Sequence, residues 1–158
     1  GGFDFGIGPD RAREQCEAAG FSYTGSGEQG ACAGTATPVG FDAAARLRFC
    51  HGKLCFVVLE SAPGSERGSD WTGTFTKLTE ALTGKYGEPT RRQIDWPSDC
   101  RDEGEVVGCL RAGRARFRVE WDWGGSRGIV LAMGKPEQGE ASIRLSYSAG
   151  AMGTPEGL

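Results

Sequence analysis

Histidine is almost missing from this chain: one, His51, stands among 158 residues. A metal site built from several imidazoles is therefore excluded. With His51 placed at a hairpin turn beside a half-cystine, where a reaction could not be shielded from water, a Ser-His-Asp set and a Cys-His nucleophile are set aside as well. Long apolar runs are missing too, and no stretch approaches the roughly 18 residues a spanning helix needs, so no transmembrane segment is expected. Neither charge is in excess. Lys and Arg number 18 against 21 Asp and Glu, a net charge of −3, and that balance offers no field for nucleic acid. No cysteine stands in a CxxC or CxxH spacing, which argues against zinc. No leader precedes Gly1; the chain is read as a mature or trimmed form that has lost a secretory leader or lipid-attached cysteine, with a processing or cloning scar as the other reading of the Gly1-Gly2 start.

Apolar residues are scarce as well, 38%, and 27 glycines raise the entropic cost of folding. Six cysteines offer compensation. An even number without metal-type spacing favours three disulfides and an oxidising compartment, periplasmic or extracellular. Sequential pairing would join Cys16 with Cys32, Cys50 with Cys55 and Cys100 with Cys109, each worth roughly 2 to 3 kcal/mol in the chain-entropy model. Fifteen connectivities remain open, and only Cys50–Cys55 has a separate geometric argument. That argument comes from Arg46 to Glu60, RLRFCHGKLCFVVLE. With Gly52 and Lys53 as a type II′ turn, Cys50 falls opposite Cys55, Phe49 opposite Phe56 and Leu47 opposite Val58. All four apolar residues would then feed the core, while Arg46 and Arg48 lie opposite Leu59 and Val57 on the other face.

Along the rest of the chain, Phe3 to Ile7 alternates like a short strand. A helix follows, capped by Gly8, opened by Pro9 and closed at Gly20, with the thin apolar face Ala12, Cys16 and Ala19. Phe21 to Thr24 reads as a strand, GSGEQG as a loop, and Ala31 to Val39 as an edge strand or irregular crossing. The strand Leu54 to Leu59, apolar on both faces, belongs in the interior of a sheet. After the polar loop Ala62 to Ser69, the best helix runs from Trp71 to Tyr86. Ser69 or Asp70 caps it, Trp71, Phe75, Leu78 and Leu82 form its stripe, and KYGEP stops it.

Strands are expected at Arg91 to Trp96, Val106 to Leu110, Arg114 to Trp123, Gly128 to Met133 and Ala141 to Tyr147. In Arg114 to Trp123 the residues Ala115, Phe117, Val119, Trp121 and Trp123 face the core. The sum is an α+β fold: an antiparallel meander of hairpins with two helices on one face, stabilised by disulfides, in one domain over 1–148 with a flexible tail over 149–158. No clear repeat of 20 to 50 residues stands out, although helix, loop and antiparallel strands occur twice.

FGIGPDRAREQCEAAG, followed by a variable loop and RLRFCHGKL, resembles the opening of small bacterial envelope modules of the BamE/SmpA-OmlA type, to which the secreted β-lactamase-inhibitor proteins are similar. KYGEP gives a partial second echo. The family-like methionine after the first glycine is Ile7 here, and the resemblance transfers no functional residue. It implies a periplasmic or secreted, non-enzymatic module that works through its surface.

Two clusters are candidate sites. Asp95, Asp99, Asp102, Glu103 and Glu105 could bind calcium or supply a carboxylate pair for glycoside hydrolysis, against the plainer reading of a solvated acidic loop between cysteines. Arg114, Arg116 and Arg118, with Arg144, form a basic stripe that could meet an acidic partner or a phosphate-bearing polymer, against the plainer reading of a wet sheet face continued by Glu120 and Asp122. Trp96 beside Pro97 is the candidate exposed aromatic. These features predict a non-catalytic interaction or structural module with a protein partner, no cofactor and no nucleic acid. The alternatives are a carboxylate-dependent hydrolase, a calcium-dependent carbohydrate binder, or a subunit assembled by sheet-edge pairing.

Overall fold

Alternating apolar residues produce one large antiparallel sheet. The computed structural model describes residues 5–34, 43–61, 71–101, 105–134 and 142–149. Helix α1 (Pro9–Ala18) leads into strands β1 (Tyr23–Ser26), β2 (Gln29–Cys32), β3 (Ala43–Cys50) and β4 (Lys53–Ser61); helix α2 (Trp71–Tyr86) leads into β5 (Arg91–Asp95). A 3-10 turn at Ser98–Cys100 and helix α3 (Val106–Arg111) precede β6 (Arg116–Gly124), β7 (Arg127–Gly134) and β8 (Ser142–Ala149). The strand order is β1-β2-β3-β4-β8-β7-β6-β5. Each half is thus a helix followed by a four-stranded meander, and the halves join where β4 pairs antiparallel with β8.

The register explains the core. Val119, Leu131, Leu145, Leu59, Ala45 and Cys32 lie in one row across six strands, and Trp121, Ile129, Tyr147, Val57, Leu47 and Gly30 in the next. These rows share a core with Ala12 and Cys16 of α1, Trp71, Phe75, Leu78 and Leu82 of α2, and Val106, Cys109 and Leu110 of α3. Phe75 meets Phe117 edge to face at 5.5 Å. Each fully buried aliphatic side chain contributes roughly 1.5–3 kcal/mol. The helix expectations at Pro9 and at Trp71–Tyr86 agree with α1 and α2, down to Gly8 as the N-cap and Pro9 in the first turn. Ala19, however, is exposed. Cys16–Cys32, Cys50–Cys55 and Cys100–Cys109 are bonded, with Cα separations of 5.9, 5.7 and 6.0 Å.

The β3–β4 hairpin is in a different register from the one expected. His51 and Gly52 form its turn, with φ of 53° and 78°, so Cys50 pairs with Lys53 rather than with Cys55. Two positive φ values make this the I′ geometry that matches strand twist, and glycine suits its second position. Phe49 pairs with Leu54, Arg48 with Phe56, Leu47 with Val57 and Arg46 with Val58. The step between Arg48 and Phe49 leaves Cys55 as the extra residue of a bulge. Phe56 and Val58 consequently share a face with Arg46 and Arg48 instead of with Leu47 and Phe49. One residue of slip has moved two large side chains off the core face.

Other departures are local. Val106 to Leu110 is helix α3, not a strand: Val106, Cys109 and Leu110 are buried at helical spacing, Cys109 is tethered to Cys100, and Gly113, at φ +74°, donates to the Leu110 carbonyl at its end. The described residues therefore hold three α-helices rather than two, and the sheet dominates. GSGEQG is no open loop, because β1 and β2 extend into it and leave Gly27-Glu28 as a two-residue turn. Of Ala31 to Val39, the first two residues end β2 and positions 35–42 lie outside the described residues. Residues 5–8 form no strand, yet Gly6 N donates to Leu54 O and Leu54 N to Ile7 O, tying them to β4. Strand β8 includes Ser148 and Ala149; the rest of the expected tail and the Ser69 or Asp70 cap fall outside the described residues.

Candidate functional site

Because side chains alternate, the sheet has a second face, and no described helix packs on it. Its rows read Gln93, Arg118, Ala132, Arg144, Glu60, Ala44; then Arg91, Glu120, Val130, Ser146, Val58, Arg46, Ala31; then Asp122, Gly128, Ser148, Phe56, Arg48, Gln29. On the middle strands the face thus carries the small or apolar side chains Phe56, Val58, Val130, Ala132, Ser146 and Ser148 beside the charged pair Glu60 and Arg144. Arginines flank them on both sides. With Asp95 and Arg116 at the β5 end, the described rows hold six arginines against four carboxylates, a cationic face on a chain of net charge −3.

These charges are organised. Arg144 donates through Nε and Nη2 to Oε2 of Glu60, at 2.9 and 2.7 Å, and Arg46 approaches the same oxygen at 3.8 Å. In the other half Arg118 donates to Glu120, whose second oxygen lies 3.6 Å from Arg91. One central glutamate therefore holds two arginines in each half. Arg48 lies over the Phe56 ring at 5.6 Å, the distance of a cation–π contact. The face is hollowed over both halves. A depression of about 580 Å³ is lined by residues that include Arg46, Arg48, Phe56, Val58 and Arg144. A smaller one, about 240 Å³, includes Phe56, Arg118, Glu120, Val130 and Ser146.

Of the arginine stripe read from the sequence, Arg116 and Arg118 stand on this face, and Arg144 shares a row with Arg118 across Ala132. Arg114 lies before β6 and is ion-paired with Asp99. Arg46, Arg48, Phe56 and Val58 complete the face. Arg46 and Arg48 were visible as an alternating pair in RLRFC, but their apolar neighbours were hidden by the bulge. Trp96 is half-buried: its ring meets Phe117 at 5.6 Å, its Nε1 donates to Cys100 O at 2.9 Å, and Arg101 stacks on it at 4.7 Å. The tryptophan placed in the core by alternation, Trp123, is 40% exposed. It stands at the register break between Asp122 and Gly124.

Asp95 ends β5, Asp99 sits in the 3-10 turn and Glu105 occupies the N-cap of α3, while Asp102 and Glu103 lie outside the described residues. The hydrogen bond from Arg114 holds the Asp99 carboxyl below its ordinary range. Among the described residues no three His, Cys, Asp or Glu side chains converge to hold a metal ion, and no helix is long and apolar enough to cross a membrane. Comparisons with protein-family models, with curated proteins and with solved structures found no match.

Proposed function

We propose that this protein is an extracytoplasmic, non-catalytic binding module whose arginine-bearing sheet face docks an acidic protein surface. The observation that carries this reading is the pattern on that face: Phe56, Val58 and Val130 between arginines that are already held by Glu60 and Glu120. Arginines fixed in this way lose less freedom when they meet a partner carboxylate, and their planar forks suit bidentate pairing. Small residues at Ala132, Ser146 and Ser148 keep the floor low, so a projecting apolar side chain can reach it. Three disulfides support residence in an oxidising compartment. The resemblance to envelope modules and secreted inhibitors points the same way.

The test is a footprint. The partner is captured from periplasmic or culture fluid, identified, and mapped by amide hydrogen exchange and cross-linking. Protection is expected over β3, β4, β8 and β7, with cross-links to an acidic surface. Arg48→Glu and Arg144→Glu should each weaken binding at least tenfold, and affinity should fall with salt. Protection confined to the helix side, indifference to both charge reversals, or a chain that captures nothing would overturn the reading.

A further inference from the structure

On the helix side, where the C-terminal end of α2 reaches the β6–β7 end of the sheet, lies a hollow of about 360 Å³ lined by Phe5, Lys85, Tyr86, Trp123, Gly128, Tyr147 and Ser148. It belongs to neither depression of the arginine face. Four aromatic rings line it. Tyr86 and Trp123 are 5.4 Å apart and inclined at 47°, which makes a wedge rather than a closed stack. Trp123, 40% exposed, forms one wall.

Each of its polar aromatic and lysine side chains has a proton to donate. Neither the Trp123 indole N–H nor the Tyr86 or Tyr147 hydroxyl makes a hydrogen bond with a described residue, and Lys85 makes no ion pair with one. Lys85 instead holds its ammonium 5.2 Å from the centre of the Tyr86 ring. The Tyr147 phenol is a neutral O–H near pH 7, and burial, reinforced by Tyr86, pushes its pKa higher still. No lining residue is a carboxylate or an amide. A cationic ligand would meet Lys85. An anion with a flat apolar body suits both the aromatic walls and the ammonium.

We propose that this hollow binds a flat aromatic carboxylate, its ring in the wedge of Tyr86 and Trp123 and its carboxylate at Lys85 and the Tyr147 hydroxyl. The apolar walls supply burial and stacking, and the unpaired donors supply the preference for an acid over its neutral analogue.

The experiment follows the four indole N–H signals of the intact, disulfide-bonded protein by NMR while naphthalene-2-carboxylate is titrated in; the signal lost in Trp123→Phe is that of Trp123. The Trp123 signal should shift saturably and the Trp121 signal little. Naphthalene-2-carboxamide should bind at least tenfold more weakly. Lys85→Met, at an exposed position that leaves folding undisturbed, should weaken the carboxylate about tenfold and leave the amide unchanged. Tyr147→Phe should weaken the carboxylate severalfold. No shift at Trp123 up to millimolar carboxylate would overturn the proposal. So would equal affinity for acid and amide, or a Lys85→Met variant that binds the acid as the wild type does.

Discussion

Trp121 and Trp123 are two residues apart on one strand, and simple alternation makes them equivalent. Their burial nevertheless differs, 1% exposed for Trp121 against 40% for Trp123, and substitution by phenylalanine measures the difference. Trp121 is 1% exposed, and its Nε1 donates to Gly87 O at 2.8 Å, locking β6 to the residue that ends α2. Trp121→Phe removes that donor and leaves the Gly87 carbonyl without it, a loss of about 1–3 kcal/mol, with a further term for the volume of the missing ring. The total is about 2–4 kcal/mol, or roughly 5 to 15 °C in Tm for a chain of this length. Trp123→Phe removes an exposed ring that has no hydrogen bond and should change stability by less than about 0.5 kcal/mol. Urea unfolding with the disulfides intact, followed by far-ultraviolet circular dichroism, gives both values, and the slope m should be unchanged. Equal losses in the two variants would refute the register break and the assignment of Trp123 to an open hollow.

Three further outcomes follow from the same geometry. A Cβ on Gly128 would stand 2.2 Å from the Trp121 carbonyl oxygen, whereas one on Gly134 would meet nothing within 4 Å; Gly128→Ala should cost about 1–3 kcal/mol and Gly134→Ala should be neutral or slightly stabilising in thermal melts. Cys16 and Cys32, both buried, close a separation of 16 residues, and Cys50 and Cys55 one of 5. Alanine replacement of the first pair should cost about 3 kcal/mol and of the second about 2, and a reversed order in denaturant midpoints would contradict the loop-closure account. Because Arg114 lowers the Asp99 pKa, that pair's contribution is present above the ordinary carboxylate value and is lost as pH falls through the lowered one. A carboxyl-carbon NMR titration should place the Asp99 midpoint below its neighbours and return it to the usual range in Arg114→Ala.

Much was legible before any coordinates. The two long helices, the interior position of β4, the alternation of β6 and the oxidised state of the cysteines follow from local rules: capping residues, periods of 3.6 and 2, and even cysteines without metal spacing. Val106 to Leu110 escaped because five apolar residues satisfy either period, and only the tether from Cys109 to Cys100 and the stop at Gly113 decide for a helix. The arginine face was half legible. Arg118 and Arg144 could be seen as exposed, but their shared row depends on β8 standing between β4 and β7.

What the sequence determined by itself is therefore local: where helices begin and end, which strands alternate, and that three disulfides stabilise a chain poor in apolar residues. Tertiary structure alone decided register and neighbourhood. The choice of His51-Gly52 as the β3–β4 turn, with Cys55 in a bulge, moves Phe56 and Val58 onto the face with Arg46 and Arg48. Trp123, at the register break after Asp122, ends up 40% exposed beside Tyr86. The pairing of β4 with β8 brings Glu60 to Arg144, 84 residues away in the chain. Side chains in a sheet alternate with a period of two, so a one-residue change in pairing reverses a face, and that choice depends on strands distant in sequence.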